Sequence, residues 1–241
     1  MTPKIHIICK DSGGDITRNP YINKFLKNEK LVYYAKKGTP VVKLGSGSPK
    51  VMVTAGVHGD ELPPQLAAVR LIEFLKNCKL DGTVYVIPFV APKSTMENVR
   101  NLRGKDLNRL SHCEGTITNH VLNFALSHAD ALADFHSTEI GGNPGEESVF
   151  CSKNPCMDSF ILGSFIAQKI SAKLICHEKA GEKYRGALED ECNLRYLPAV
   201  TCEVVSKKGK ADEKSIRRSF LQMIIVLSYF NIIKEDLVAI I

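Results

Sequence analysis

Two short stretches of the sequence carry side chains of the kind that hold a metal ion. VTAGVHGDEL, residues 53–62, contains His58 and Glu61, and ALADFHST, residues 131–138, contains His136. Two imidazoles and one carboxylate, with the fourth position left open, are the protein ligands of many catalytic zinc sites. We therefore predict that the chain binds one zinc ion through these three side chains.

The spacing within each stretch supports this prediction. His58 and Glu61 are three residues apart, so their side chains point the same way once a helix begins at or just before residue 61. Gly59 permits a sharp turn between the strand and that helix. On a strand, Asp134 and His136 face the same side. We expect Asp134 to accept a hydrogen bond from a metal-bound histidine and to orient its ring.

The H-x-x-E pattern alone is common, and because Leu62 follows Glu61 it is not the H-x-x-E-H motif of known zinc proteases. The surrounding elements give it weight. Apolar runs indicate buried strands, and apolar residues at helical spacing indicate helices. The predicted strands are KIHIIC, LVYYAKK and PVVKLG within residues 1–49, then 50–57, 83–90, 131–138, 173–178 and 199–205. The predicted helices are 63–77, 117–128, 157–171 and 212–232.

Strands that alternate with helices predict an α/β fold with a mixed, mostly parallel twisted sheet and helices on both faces. In such folds, ligands bind beyond the carboxyl ends of the strands. His58, His136 and Glu203 all lie at or near predicted strand ends, and another strand leads into RNLRGKDLNR, residues 100–109. We expect these polar side chains to meet at one edge of the sheet.

Length and composition indicate a globular chain. With 241 residues, of which 44% are hydrophobic and 24% charged, we expect one catalytic domain over residues 1–241, with residues 1–49 as its N-terminal strands. The net charge is +6, but the basic residues are scattered apart from Lys207-Lys208-Gly209-Lys210. This distribution favours a solvated surface over a nucleic-acid partner. The positive charge would also attract a small carboxylate-bearing substrate. The sequence leaves the oligomeric state open.

The cysteines and the apolar segments bear on location. Cys9, Cys176 and Cys202 lie in apolar segments, where a reduced thiol packs like a small hydrophobic side chain. The N-terminus, MTPKIHIICK, lacks a charged region followed by a long apolar one, and no apolar run reaches the length of a membrane span. We therefore expect a reduced, cytoplasmic protein with no membrane partner.

Five motifs, in order, resemble the zinc carboxypeptidase superfamily and most closely its succinylglutamate desuccinylase/aspartoacylase branch. They are AGVHGDE (55–61), IPFVAP (87–92), DLNR (106–109), ALADFHS (131–137) and TCEVV (201–205). The resemblance implies a zinc-dependent hydrolase that cleaves an amide bond next to a free carboxylate. That branch usually continues into a C-terminal β-rich domain. Only about 38 residues follow Glu203, so we expect that domain to be missing.

The resemblance also implies roles for further residues. Glu203 would be the general base, and Asn108 and Arg109 would bind the substrate carboxylate. Another arginine would polarise the scissile carbonyl, and both Arg100 and Arg103 fit, with the spacing favouring Arg100. The chemistry is consistent, because a carboxylate can carry a proton from water to a leaving nitrogen and an arginine keeps its charge beside an oxyanion.

The segment YRGALEDECNLRYLPAVTCE, residues 184–203, is more similar to the carboxypeptidase branch. There, a pocket residue that recognises the substrate side chain precedes the glutamate, and ungapped spacing places Leu188 at that position with Glu189 beside it. Leu188 would favour an apolar substrate side chain, whereas an inward-pointing Glu189 would favour a basic one. Tyr184 is either a cap over the substrate carboxylate or an ordinary loop tyrosine.

Two enzymatic functions therefore stay open. AGVHGDELPPQLAAVRLIEFL favours a deacylase of N-acyl amino acids, and residues 184–192 favour a metallocarboxypeptidase that removes a C-terminal residue from short peptides. A non-catalytic ligand-binding relative is the outside alternative. The presence of both histidines and of Glu61 and Glu203 argues against it.

Overall fold

The computed structural model describes residues 3–26 and 28–234. The predicted domain, residues 1–241, also includes residues 1, 2, 27 and 235–241, which lie outside the described residues. Within the described part of the chain, no helix has both the length and the apolar character needed to cross a membrane.

Strands and helices alternate along most of the described chain. The strands are β1 (Lys4–Cys9), β2 (Thr39–Gly45), β3 (Lys50–Ala55), β4 (Thr83–Ile87), β5 (Ala131–Thr138), β6 (Ser148–Asn154), β7 (Lys173–Lys179) and β8 (Ala199–Val205). The α-helices are α1 (Pro20–Phe25), α2 (Glu29–Lys37), α3 (Leu62–Leu75), α4 (Pro92–Glu97), α5 (Ile117–His128), α6 (Met157–Ile170), α7 (Leu188–Asn193) and α8 (Glu213–Tyr229). Short 3-10 helices cover Ile16–Arg18 and Leu107–Arg109.

The eight described strands form one sheet in the order β1-β2-β4-β3-β5-β8-β6-β7. The neighbours β4, β3, β5 and β8 are parallel to one another, and β7 is parallel to β6. The pairs β1–β2, β2–β4 and β6–β8 are antiparallel. This arrangement confirms the predicted mixed, mostly parallel sheet. It also brings the carboxyl ends of β3, β5 and β8 side by side.

Helices cover both faces of the sheet because the central strands are apolar on both sides. On β3, Val51 and Val53 belong to a core packed with residues of α3, α6 and α8. The intervening Met52 points to the other face, into a second core that includes residues of α5 and α7. The alternation follows from the two-residue period of a strand. It holds the strand ends in a rigid frame.

The prediction of a strand for LVYYAKK is wrong, because this stretch belongs to the helix α2. The aromatic and β-branched residues favoured a strand. However, Leu31 and Ala35 are one helical turn apart and both are buried, which places the apolar face of a helix against the core. The Asn28 side chain caps the helix by accepting the Leu31 N–H at 2.9 Å.

Four elements carry no sequence prediction: α1, α4, α7 and β6. Each spans six or seven residues, which is too short for apolar periodicity to identify it. Two of them matter for function. The strand β6 pairs with the far side of β8, and α7 lies between the loop at residue 184 and β8.

Candidate active site

The candidate active site lies where three adjacent parallel strands end. The strand β3 leads into the turn that carries His58 and Glu61. His136 on β5 and Glu203 on β8 are register partners, so their side chains point to the same side of the sheet. The structure brings these four residues together at one edge of the sheet.

The turn between β3 and α3 depends on two glycines. Gly56 has φ +79°, a left-handed conformation that favours glycine. A Cβ on Gly59 would lie 2.0 Å from the carbonyl carbon of Ser94 in α4. Gly59 is therefore required by the close approach of α4, and the left-handed backbone that allows the bend is at Gly56.

Gln65 of α3 forms hydrogen bonds that hold the same turn in place. Its side-chain Nε2 lies 3.2, 3.3 and 3.0 Å from the carbonyl oxygens of His58, Gly59 and Glu61. Its Oε1 accepts the hydroxyl of Thr95 at 2.8 Å, and the residue is fully buried. This residue was not predicted from the sequence. The signal that could have found it was a polar side chain one helical turn after Glu61, within the apolar first half of the helix.

His58, Glu61 and His136 form a buried group that fits a divalent ion. One potential ligand atom from each lies within 4.8 Å of the other two. The Nδ1 atoms of His58 and His136 are 3.2 Å apart, and each lies 2.8 Å from one oxygen of Glu61. Two ring nitrogens and a carboxylate that converge in this way match the donor set of a zinc site with an open position. Among the described residues, this is the one cluster with such geometry.

A carboxylate orients each histidine ring through its Nε2 atom. Asp134 lies 2.8 Å from His136 Nε2 and accepts the hydroxyl of Thr54 at 2.7 Å. Because a carboxylate accepts hydrogen bonds, this contact keeps a proton on Nε2 and directs Nδ1 into the group. The structure thus places Asp134 where the sequence analysis expected it.

Asp106 does the same for the other ring, and the sequence analysis missed it. Its Oδ1 lies 2.9 Å from His58 Nε2 and also accepts the backbone N–H of Asn108 at 2.9 Å. Burial would raise the pKa of Asp106, but the hydrogen bond and charge of His58 and the charge of Arg100 lower it. The signal that could have found it was the first residue of DLNR, a helix-capping aspartate within the motif.

Charges within the metal-binding group act on one another strongly. Burial by itself would lower the pKa of both histidines. However, Glu61 and Asp106 raise the pKa of His58, and Asp134 and Glu61 raise the pKa of His136 well above its usual value. Burial would raise the pKa of Glu61, but the two histidines hold it well below the usual value. A cation in this group would take the place of protons on the rings.

Glu203 lies beside this group with one oxygen unpaired. Its Oε2 is buried and has no hydrogen-bond partner among the described residues. Burial raises the pKa of Glu203 to about 8, the charge of Glu61 adds to this, and His136 and Arg100 oppose it. A carboxyl group with a raised pKa and a free oxygen can accept a proton near neutral pH.

The two candidate arginines occupy different places. Arg100 donates from Nη1 to Glu61 Oε1 at 2.7 Å, and its Nη2 lies 3.7 Å from Asp106 Oδ2. Arg103 is exposed, has φ +51°, and is not among the residues that line the active-site cavity. The structure therefore brings Arg100, and not Arg103, to the metal-binding group.

A cavity of about 250 Å³ opens beside the group, and Asn108, Arg109 and Tyr184 line it together with both histidines and Glu203. The Arg109 guanidinium lies 5.2 Å from the centre of the Tyr184 ring, within the range of a cation–π contact. The Asn108 Oδ1 accepts the backbone N–H of Leu188 at 3.1 Å. The Leu188 side chain is fully buried in the core under α7, and Glu189 lines the cavity instead.

A second cavity of about 210 Å³ shares Arg100, Asn143 and Glu203 with the first. Asp60, for which the sequence analysis had no role, lines it and is buried. Its Oδ2 lies 3.6 Å from Lys208 Nζ, and its backbone carbonyl accepts the N–H of Gly209 at 2.9 Å. Asp60 thus ties the loop after β8 to the turn that carries His58.

Comparisons with known proteins agree with this architecture. The family model of the succinylglutamate desuccinylase/aspartoacylase catalytic domain matches residues 47–223, a span that contains every candidate site residue. Among curated proteins, none matches the sequence.

Solved structures share the fold at low sequence identity. An aspartoacylase family protein from Mesorhizobium loti has 18% identity and a TM-score of 0.64, over 81% of this chain and 62% of that one. The ectoine utilization protein EutE (DoeB) from Ruegeria pomeroyi has 18% identity and a TM-score of 0.65, over 83% and 64%. A metallo-carboxypeptidase from Burkholderia cenocepacia has 12% identity and a TM-score of 0.60, over 80% and 61%.

The chain spans less than two thirds of the length of these three proteins, and the likeness to them establishes the fold. The family model establishes more than the fold, because it matches the sequence over well over half of the chain. The chain belongs to the succinylglutamate desuccinylase/aspartoacylase family.

Proposed function

We propose that this protein is a zinc-dependent hydrolase of an amide bond next to a free carboxylate. The main support for this proposal is the position of Glu203. It lies next to His136 in the sheet, lines a cavity with His136 and His58, and has an Oε2 atom without a hydrogen-bond partner among the described residues. A zinc ion held by the two histidines and Glu61 would polarise a carbonyl oxygen and lower the pKa of a water molecule. This ligand set also accepts other divalent ions, so the identity of the metal is part of the proposal.

The remaining residues have separate roles in the proposed reaction. Glu203 accepts a proton in the cavity and later donates it to the leaving nitrogen. Arg100 stabilises negative charge that develops on the carbonyl oxygen, because its guanidinium keeps its charge. Asn108 and Arg109 bind the substrate carboxylate, for which the planar guanidinium offers two parallel donors. Tyr184 stacks on Arg109 and holds that side chain over the cavity.

For the substrate we propose an N-acyl amino acid. Hydrolysis adds the elements of water across the C–N bond and releases a free amino acid and a carboxylic acid. Membership in the family supports a deacylase. A cavity of about 250 Å³ suits a group the size of an amino acid. We also propose that the whole chain acts as one catalytic domain.

A metallocarboxypeptidase is the second candidate, and the wall of the cavity favours it. Tyr184 and Glu189 both line the cavity, and both belong to residues 184–203, the segment that is similar to the carboxypeptidase branch. The C-terminal residue of a peptide presents the same amide bond next to a carboxylate. A non-catalytic binding protein is the outside alternative, and it would leave the unpaired oxygen of Glu203 without a use.

An activity panel tests these functions. The zinc-loaded protein is incubated with N-acetyl and N-succinyl amino acids and with dipeptides, and the released amino acid is measured with and without a chelator. We expect chelator-sensitive release from N-acyl amino acids that added zinc restores. Faster release from dipeptides would select the carboxypeptidase. No release from any compound would contradict both hydrolase assignments.

A further inference from the structure

One acid in the wall of the active-site cavity has no part in the proposed hydrolysis. Glu189, the second residue of α7, is only 5% exposed and lines the cavity together with Phe150, Ala187 and Thr201. Asn193, one turn later on the same helix, donates its side-chain amide to one Glu189 oxygen. The carboxyl group is therefore held in a fixed place at the cavity surface.

Among the described residues, no cationic side chain pairs with Glu189. Burial raises the pKa of Glu189 well above its usual value, the acids Asp190 and Asp134 raise it further, and the Asn193 amide is the group that lowers it. No lysine, arginine or histidine of the described residues is among the groups that shift it. A buried carboxyl group without a countercharge destabilises the fold, and such groups are concentrated at binding sites.

The surroundings of Glu189 suit an alkyl chain that ends in a charge. The Phe150 ring packs edge-on against the Tyr184 ring, with the centroids 5.8 Å apart. Tyr184 in turn stacks on Arg109. An aromatic wall therefore runs from the arginine that would bind a carboxylate to Phe150, and Glu189 lines the same cavity. Aliphatic stems pack well on such walls while their charged ends reach polar partners.

We propose that Glu189 selects the substrate side chain, and that the amino-acid half of the substrate carries a cationic side chain, an ammonium or guanidinium group. This inference rests on the proposed function: the substrate carboxylate binds Asn108 and Arg109, and the side chain extends past Phe150 to Glu189. A cationic end supplies the missing countercharge. A neutral end leaves the acid unpaired, and an acidic end adds a like charge.

Binding of free amino acids, the products of the proposed reaction, tests this selectivity without turnover. L-lysine, L-ornithine, L-norleucine and L-glutamate are titrated calorimetrically into the zinc-loaded full-length chain. Norleucine matches lysine in its stem and lacks the charge, so contacts to zinc and to Arg109 cancel in the comparison. We expect the better of lysine and ornithine to bind about tenfold or more tighter than norleucine, the range of a charge-assisted hydrogen bond, and glutamate to bind weakest. Equal binding of all four would overturn the proposal.

Two variants locate the source of the preference. Glu189→Gln keeps the volume and the oxygen that accepts the Asn193 amide, and it removes the charge. We expect it to bring the lysine-to-norleucine affinity ratio close to one. Glu139→Gln removes a charge from an exposed residue of the second cavity and should leave the ratio as in the wild type. A ratio that persists in Glu189→Gln would overturn the assignment. If that variant does not fold, the ligand series on the wild type still decides the proposal.

The design separates this inference from the proposed function. Selective binding of lysine or ornithine by a protein that hydrolyses none of the panel compounds would refute the hydrolase and retain the cationic subsite. Hydrolysis of N-acetylnorleucine and N-acetylglutamate as fast as N-acetyllysine and N-acetylornithine would retain the hydrolase and refute the subsite.

Discussion

At the residue scale, the paired histidines are the unusual feature of this sheet edge. Each ring lies between two carboxylates: His58 between Glu61 and Asp106, and His136 between Glu61 and Asp134. In the proposed metal site, the outer carboxylate orients the ring, and the inner one contributes a ligand atom. These two roles account for the presence of so many charged and polar side chains in a buried part of the protein.

Glu203→Gln tests the proton carrier. The substitution keeps the shape of the side chain and removes its ability to accept a proton, so we expect turnover to fall by about 10²–10⁴-fold while zinc stays bound. Metal analysis and the activity panel measure the two quantities. His136→Ala is the contrasting control, since it should lose most of the metal. Near-full activity in Glu203→Gln would refute the role of this residue.

Asp106→Asn tests the orientation of His58. The amide oxygen can still accept the Asn108 N–H, but the negative charge behind the ring is lost, so we expect zinc affinity to fall by about 10–100-fold. Competition with a coloured chelator measures the affinity. Asp15→Asn is a matched control, because Asp15 caps the other 3-10 helix through Thr17 in the same way. Unchanged zinc affinity in Asp106→Asn would remove Asp106 from the site.

Arg100→Met and Arg103→Met distinguish the two candidate arginines. Arg100 contacts Glu61 at 2.7 Å and lines the cavity, so its loss should lower kcat by about 10²–10³-fold. Arg103 is exposed and does not line the cavity, so its loss should leave kcat near that of the wild type. Steady-state kinetics with the best substrate of the panel measures both. The reverse order of effects would assign the carbonyl-polarising role to Arg103.

At the element scale, the site depends on how closely the turn after β3 packs against α4. A methyl group at Gly59 would overlap the Ser94 backbone, and backbone cannot move aside as a flexible side chain does. The Gln65 amide fixes the other side of the turn through three carbonyl oxygens. The ligand spacing of His58 and Glu61 is thus set by packing between elements as well as by their separation in sequence.

Gly59→Ala tests this packing. We expect it to lower the free energy of unfolding by about 3 kcal/mol, because overpacking shifts the backbone, and to weaken zinc binding at the same time. Chemical denaturation and metal analysis measure the two effects. Gly115→Ala is the control, since Gly115 has a left-handed backbone but no atom within 4 Å of the position that a Cβ would take. It should cost about 1–2 kcal/mol with zinc affinity unchanged, and equal effects in both variants would contradict the packing explanation.

Several elements that surround the site could be predicted because their patterns are long and local. The strands β5 and β8 and the helix α5 have the bounds expected from the sequence, and the DLNR and TCEVV motifs led to Arg109 and Glu203. Asp106 and Gln65 escaped prediction because their roles depend on contacts with residues distant in the chain or on a turn whose shape is tertiary. The orientation of Leu188 and Glu189 follows from α7, a helix too short to recognise by periodicity.

At the scale of the whole molecule, the buried acids link stability to pH. Folding raises the pKa of Glu189, so the folded chain retains a proton at pH values where the unfolded chain has released it. This residue contributes stability that is fully present below the usual pKa of a glutamate, about 4.3, and is lost as the pH rises through the folded-state pKa. At neutral and alkaline pH, the buried acid therefore lowers the free energy of unfolding relative to its value in acid.

Glu189→Gln should remove that dependence. We expect the stability of the variant relative to the wild type to increase as the pH rises from about 4.3, the usual pKa of a glutamate, through the raised folded-state pKa. Urea denaturation at several pH values, with zinc removed from both proteins, measures the difference. The exposed Glu139→Gln variant should show no such trend. A constant difference between Glu189→Gln and the wild type across this range would contradict the argument from burial.

The strand order has a consequence for how the protein matures. The strand β8 lies between β5 and β6, so the last of the described strands to be synthesised enters a gap between two that already exist. The three metal ligands lie within residues 58–136, whereas the proton carrier comes at residue 203. Under the proposed function, the residues that would hold the metal are therefore all synthesised before the residue that would carry the proton. Insertion of β8 completes the sheet and, in the same step, brings Glu203 beside His136.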